Sequence, residues 1–239
     1  MKLILKKIAV FGRNFDIIKL VIDLSKINTV LFDLDGTLVN SNEIIIESFK
    51  QTLEHFQPNK NYSRRQLIEM IGPPLKETFK IVSEDEEKIK EMINFYRSFY
   101  TKHEFEYIKL YENVIETLEI LKNMNINLGI VTTKFKESAM PSIINFGIDK
   151  YIKNYAFLGS VPEHKPDPKP IHHVLNQFSN VDKAVMIGDN PSDILAGKNA
   201  DIYTCGIEWS LIKEKLLETK PDFWIENYTE IIDIINLEV

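Results

Sequence analysis

The chain has 239 residues, 44% of them hydrophobic and 27% charged, with a formal net charge of -6. This is enough for one larger domain or for a core with a modest insert. The acidic balance excludes the basic footprint that a nucleic-acid partner requires. A single cysteine, Cys205, excludes an intramolecular disulfide and points to a reducing, cytoplasmic setting.

In chain order, the first stretch is MKLILKKIAVFGRNFDIIKLVIDLSKI, apolar and basic at its start. Arg13, Asp16, Lys19 and Asp23 interrupt it, and no A-x-A-like site follows a clean apolar core. It is too broken to span a bilayer, so residues 1–28 read as an N-terminal extension of open role, with no stable membrane insertion: an extra element packed on the domain, a segment associating with a membrane surface, or an upstream extension of little consequence.

After it a short β-rich run recurs, each time followed by a helical pattern. The runs are TVLFD (29–33), NLGIVT (127–132), YAFLG (155–159), AVMIG (184–188), IYTCGI (202–207) and DFWI (222–225). Continuous apolar runs suit strands covered on both faces. Helical patterns lie near 112–125, 137–146, 168–178, 191–200, 210–218 and 228–235. The alternation predicts an α/β fold: a Rossmann-like, doubly wound parallel sheet. Residues 41–110 break it, with helical patterns such as NEIIIESFKQTLEHF and SEDEEKIKEMINFYRSFY and no strand. The division expected is a core of residues 29–40 and 111–239 with a helical cap of residues 41–110 over the sheet's carboxyl edge.

Residues able to do chemistry stand at the strand ends. VLFDLDGTLVN carries Asp33, Asp35, Gly36 and Asn40; VTTK carries Thr132 and Thr133; HKPDPKP carries Lys165; IGDNPSD carries Asp189 and Asp193. In a doubly wound sheet these ends meet at one crevice. Carboxylates crowded there repel one another unless a cation lies between them. Oxygen donors without His or Cys suit Mg²⁺, which takes few carboxylates and completes its shell with water and phosphate. Asp33 can then attack phosphorus while Asp35 serves as acid and base. Lys165, the Thr132 hydroxyl and N–H groups of the Leu34–Gly36 loop hold phosphoryl oxygens. Each stretch by itself also reads as an ordinary turn; their order and placement argue for a site. The five histidines offer no competing metal site, and Cys205 in IYTCGI reads as a core residue.

DLDGT, the threonine after the second strand, Lys165 in HKPDPKP and GDNPSD resemble the four motifs of the haloacid dehalogenase-like hydrolase superfamily, from about residue 29 to the end. The resemblance implies a helical C1-type cap, Asp33 as nucleophile, Asp35 as acid/base, and Thr132 and Lys165 as phosphate binders. It implies Mg²⁺ held by Asp33, the Asp35 carbonyl and Asp189, with Asp193 in support. The second aspartate, Asp35, favours phosphoryl transfer over dehalogenation. NSNEIIIESFKQTL, IGPPLKETF, VTTK and GDNPSDILAGKNA are similar to the bacterial pyrophosphatase PpaX family, which implies inorganic pyrophosphate as substrate. Asn40, where many relatives acting on sugar phosphates or phosphoglycolate carry Asp, either lessens repulsion of a highly anionic substrate or shapes the hinge. Arg64, Arg65 and Lys76 are candidate readers of a distal phosphate. The alternatives are a phosphoglycolate phosphatase-like phosphomonoesterase and a non-catalytic phosphate-binding regulator.

Overall fold

The computed structural model describes residues 26–237. The extension read at residues 1–28 lies outside the described residues apart from its last three, and two of these belong to the first strand. In chain order the elements are β1 (Ile27–Phe32), β2 (Val39–Asn40), α1 (Asn42–Phe56), α2 (Arg64–Glu69), α3 (Leu75–Lys80), α4 (Glu86–Tyr107), β3 (Lys109–Leu110), α5 (Val114–Asn123), β4 (Asn127–Val131), α6 (Lys136–Asn145), β5 (Asn154–Ala156), α7 (Lys169–Leu175), β6 (Lys183–Gly188), α8 (Pro191–Asn199), β7 (Tyr203–Ile207), α9 (Lys213–Glu218), β8 (Phe223–Ile225) and α10 (Glu230–Asn236).

The main sheet has the order β5-β4-β1-β6-β7-β8, and every pairing in it is parallel. All six expected strands are present, with β1 starting earlier than TVLFD and ending one residue before Asp33. Alternation along β1 explains why both faces must be covered. Val30 and Phe32 belong to the larger apolar cluster with Val114 and Leu118 of α5, Ile143 of α6 and Ile231 of α10. Leu31 points the other way, into a cluster with Ile171 and Val174 of α7 and Ala196 of α8. Helices on both faces make the sheet doubly wound.

The order β4-β1-β6 places Thr132, Asp33 and Asp189 side by side, because neighbouring strands lie only about 4.8 Å apart. Phe32 is level with Ile130 on one side and Ile187 on the other, so the residues after them emerge from the same edge.

Four helices, α1–α4, are inserted between β2 and β3. Their interface is built from amphipathic stripes: Ile44, Ile45, Phe49 and Leu53 of α1 meet Ile89, Met92, Tyr96 and Tyr100 of α4. The rings of Phe49 and Tyr96 lie 4.9 Å apart. Asp85 starts α4 by accepting from the N–H groups of Glu87 and Lys88. The entry and exit of the insert form a two-stranded antiparallel ribbon, Val39 opposite Leu110 and Asn40 opposite Lys109. The sequence reading has no strand over residues 41–110, and β3 corrects it; a two-residue strand is too short to show a period. Cys205 is buried in β7, as expected, and burial pushes its thiol up.

Candidate active site

At the tip of β1 the chain turns back on itself. Asp33 still belongs to the ladder, its N–H donating to Ile187 O at 2.9 Å, and the loop closes through Val39 N to Leu34 O and Gly36 N to Val39 O. The Gly36 N–H is thereby committed, which corrects the expectation that it would hold a phosphoryl oxygen. The residue serves another purpose. Its φ is +80°, and a Cβ there would lie 2.3 Å from Asp189 Oδ2, so only glycine lets the loop lie against the carboxylate at the tip of β6.

Lys165 reaches the site from the long loop between β5 and α7. Its ammonium is 2.8 Å from Asp33 Oδ1, 2.8 Å from the Val131 carbonyl and 2.6 Å from Asp193 Oδ1. Burial pulls the ammonium down, but the carboxylates of Asp193 and Asp33 outweigh it, and the group stands above its ordinary value. The other oxygen of Asp193 accepts the Asn190 N–H at 3.0 Å, closing a capping box at the start of α8. Asp193 is fully buried, with both oxygens engaged by the protein.

Asp189 accepts the Thr37 hydroxyl at 2.9 Å, and the Thr37 carbonyl in turn accepts the buried Tyr228 hydroxyl. Burial raises the Asp189 carboxyl well above the usual carboxylate range, with Asp193 and Asp33 adding to it. Burial likewise lifts Asp33 to about 7, although Lys165 opposes the shift. Oxygens of Asp33, Asp189 and Asp193 lie within 4.8 Å of one another. The Lys165 ammonium contacts two of these three buried carboxylates, and all the acidic donors are hard oxygens. This donor set fits a divalent cation of the Mg²⁺ type.

Above the sheet edge lies a cavity of about 640 Å³. Asp33, Asp35, Thr132, Thr133, Lys134, Lys165, Asp189 and Asp193 line its floor, and Ile45, Phe49, Ile71, Ile89, Ile93 and Tyr96 form its roof. The Thr132 hydroxyl accepts the Lys134 N–H at 3.1 Å, which holds the turn after β4. Thr133 donates its hydroxyl to Gly72 O at 3.3 Å, and Asn190 Nδ2 donates to Ile71 O at 3.3 Å, so the loop before α3 is seated on the sheet edge.

The remaining candidates fall elsewhere. Asn40 is in the ribbon and does not line the cavity. Arg64 is paired with Glu43, Arg65 with Glu69, and neither borders the cavity; Lys76 does, paired with Glu86 at 2.9 Å. Lys90, Arg97 and Lys134 are cavity-lining cations that sequence reasoning missed. For Lys90 and Arg97 the helical stripe of α4 carried a signal, since both stand one turn from buried or cavity-lining positions.

A profile of haloacid dehalogenase-like hydrolases matches residues 30–207, most of the chain and all of the strand tips described above. The chain belongs to this family.

As a haloacid dehalogenase-like hydrolase it has near relatives with an assigned reaction. It is 40% identical over 213 residues to the pyrophosphatase PpaX of Anoxybacillus flavithermus, covering 88% of this chain and 98% of that protein. Identity to the pyrophosphatase PpaX of Halalkalibacterium halodurans is 39% over 215 residues, 89% of this chain and 99% of the other. Among solved structures, a predicted phosphoglycolate phosphatase from Haemophilus somnus superposes with a TM-score of 0.76 at 27% identity, over 88% of this chain and 98% of that one. A haloacid dehalogenase-like family hydrolase from Streptococcus pneumoniae gives 0.74 at 28% identity, over 87% and 97%. The protein is an enzyme, a hydrolase of the phosphatase type. No helix among the described residues is long and apolar enough to cross a membrane.

Proposed function

We infer that the protein hydrolyses inorganic pyrophosphate to phosphate in the cytoplasm, through a phosphoryl group carried transiently on Asp33. The observation that carries the chemistry is the contact of Asp33 with Lys165 inside a buried cluster of carboxylates. The choice of substrate is supported by the identity of about 40% to pyrophosphatases along nearly their whole length.

Asp33, the Asp35 carbonyl and Asp189 would hold Mg²⁺. Bound there, the ion supplies positive charge against the transferring phosphoryl oxygens and the carboxylates. An Asp33 oxygen attacks phosphorus, and the bridging P–O bond breaks as the Asp35 carboxyl gives its proton to the leaving oxygen. Asp35, now a carboxylate, takes a proton from water; the water oxygen attacks the same phosphorus, and the bond to Asp33 breaks to release phosphate. Lys165 and the Thr132 hydroxyl hold oxygens of the transferring group. Asp193 orients Lys165, consistent with both of its oxygens being engaged. We read residues 41–110 as a cap hinged at the β2–β3 ribbon, near residues 39–42 and 108–112, with Asn40 as a hinge residue.

One observation favours a second reading. A cavity of about 640 Å³ roofed by Ile45, Phe49, Ile89 and Ile93 exceeds what two phosphoryl groups fill, and suits an organic phosphomonoester of the phosphoglycolate type. A substrate panel decides between them. With Mg²⁺, pyrophosphate is expected to show a higher kcat/KM than phosphoglycolate or sugar phosphates, and chelator is expected to abolish turnover. The reverse ranking selects the phosphomonoesterase; turnover of none of them selects a binding protein.

A further inference from the structure

Lys134 has a surrounding unlike that of the other cavity-lining cations. Its backbone is fixed on both sides, the N–H donating to Thr132 Oγ1 at 3.1 Å and the carbonyl accepting Leu158 N at 3.0 Å. Its ammonium stands 3.4 Å from Asp35 Oδ1, 3.4 Å from Glu104 Oε1 and 2.8 Å from the Tyr100 hydroxyl. It also lies 4.4 Å from the centre of the Tyr100 ring. The side chain is 12% exposed. Lys76, by contrast, is an outer residue with more than half of its side chain exposed, and Lys165 stands at Asp33 and Asp193.

This places one cation beside the carboxyl from which the leaving oxygen takes its proton. A leaving group that is itself a phosphate brings two or more negative charges to that spot, where Asp35 and Glu104 already stand. A neutral leaving group brings none. We propose that Lys134 is the specificity-determining residue that binds the leaving phosphoryl group of pyrophosphate, exchanging its contact with Asp35 for the substrate's distal oxygens. The proposal rests on the reading that Asp35 protonates the leaving oxygen of pyrophosphate. The competing account is a latch, in which Lys134 only holds α4 to the sheet edge.

The test is Lys134→Met, assayed with Mg²⁺ on pyrophosphate and on an aryl phosphate with an uncharged leaving group. On pyrophosphate kcat/KM is expected to fall about a hundredfold, as for loss of a donor aimed at developing charge. On the aryl phosphate the loss is expected to be smaller, about tenfold or less, because its leaving group brings no charge for the ammonium to meet. Equal losses on both substrates mean a latch and overturn the proposal. If the wild type does not turn over pyrophosphate, the reading of the previous section falls and this one with it; turnover with equal losses removes this one alone. Should Lys134→Met not fold, acetylation of Lys134 in the wild type, followed by peptide mass, gives the answer. Imidodiphosphate with Mg²⁺ is expected to slow it several-fold more than phenylphosphonate does. Equal protection by the two compounds overturns the assignment.

Discussion

The ammonium of Lys165 stands 2.8 Å from Asp33 Oδ1, although 132 residues separate the two in the chain. In the proposed reaction this contact would hold the attacking carboxylate and offer a cation to the phosphoryl oxygens in one place. Lys165→Ala is therefore expected to lower kcat by on the order of a hundredfold or more. It also leaves buried carboxylates unpaired, and in chelator at neutral pH the fold should lose about 3–5 kcal/mol in a urea melt. A rate near wild type removes Lys165 from the site.

Asp33→Asn keeps the shape of the side chain and removes its ability to form an acyl phosphate. Turnover should fall by roughly 10⁴-fold or more, the scale seen when a nucleophile is deleted. Circular dichroism should remain that of the parent. Residual activity close to wild type would show that another group attacks phosphorus.

Asp193 spends one oxygen on Lys165 and the other on the first turn of α8. Replacing it with Asn keeps a capping oxygen but weakens the hold on the ammonium. The expected loss is about 10–100-fold, the range for partners that orient a functional group. A Mg²⁺ titration of activity separates this from a direct ligand: the half-saturating concentration should move little.

Gly36→Ala introduces a Cβ 2.3 Å from Asp189 Oδ2 at a φ of +80°. The strained backbone alone should cost about 1–3 kcal/mol, and the displaced carboxylate should raise the Mg²⁺ concentration needed for activity. Unchanged urea midpoint and Mg²⁺ requirement would mean that the loop has room this geometry denies.

The pH dependence follows from Asp33, which burial lifts from 3.8 to about 7. Between those values the folded chain holds a proton that the unfolded chain has released. Stability without metal is therefore greatest at the acid end and declines as pH rises from about 4 to about 7. Asp189, raised in the same direction, adds to the decline. In chelator the melting temperature should fall between pH 5.5 and 8, more steeply than in Asp33→Asn. Mg²⁺ should raise the melting temperature most at pH 8, where it meets ionised carboxylates. A melting temperature in chelator that is flat or rising over that interval contradicts the assignment.

The architecture was legible from local pattern. An apolar run such as VLF, a turn signal at once after it and an amphipathic stretch beyond identify a buried strand and its end from a dozen contiguous residues. Parallel strands then emerge from one edge, which is why Asp33, Thr132 and Asp189 could be grouped before any contact was seen. The partners of these residues were not legible. Which oxygen of Asp193 meets Lys165, why Gly36 must lack a side chain, that Asn40 joins a ribbon with Lys109, and that Lys134 faces Tyr100 and Glu104 all depend on chain segments far apart in sequence. A two-residue strand has no period, and a basic residue on a helix looks alike whether it faces water or a cavity. By itself, then, the order of residues determined the sheet, its helices and the set of strand-tip groups, because these follow from burial over short windows. Tertiary packing alone decided which of those groups touch and which cations face the cavity, because a contact is set by the relative placement of two backbones that no single window contains.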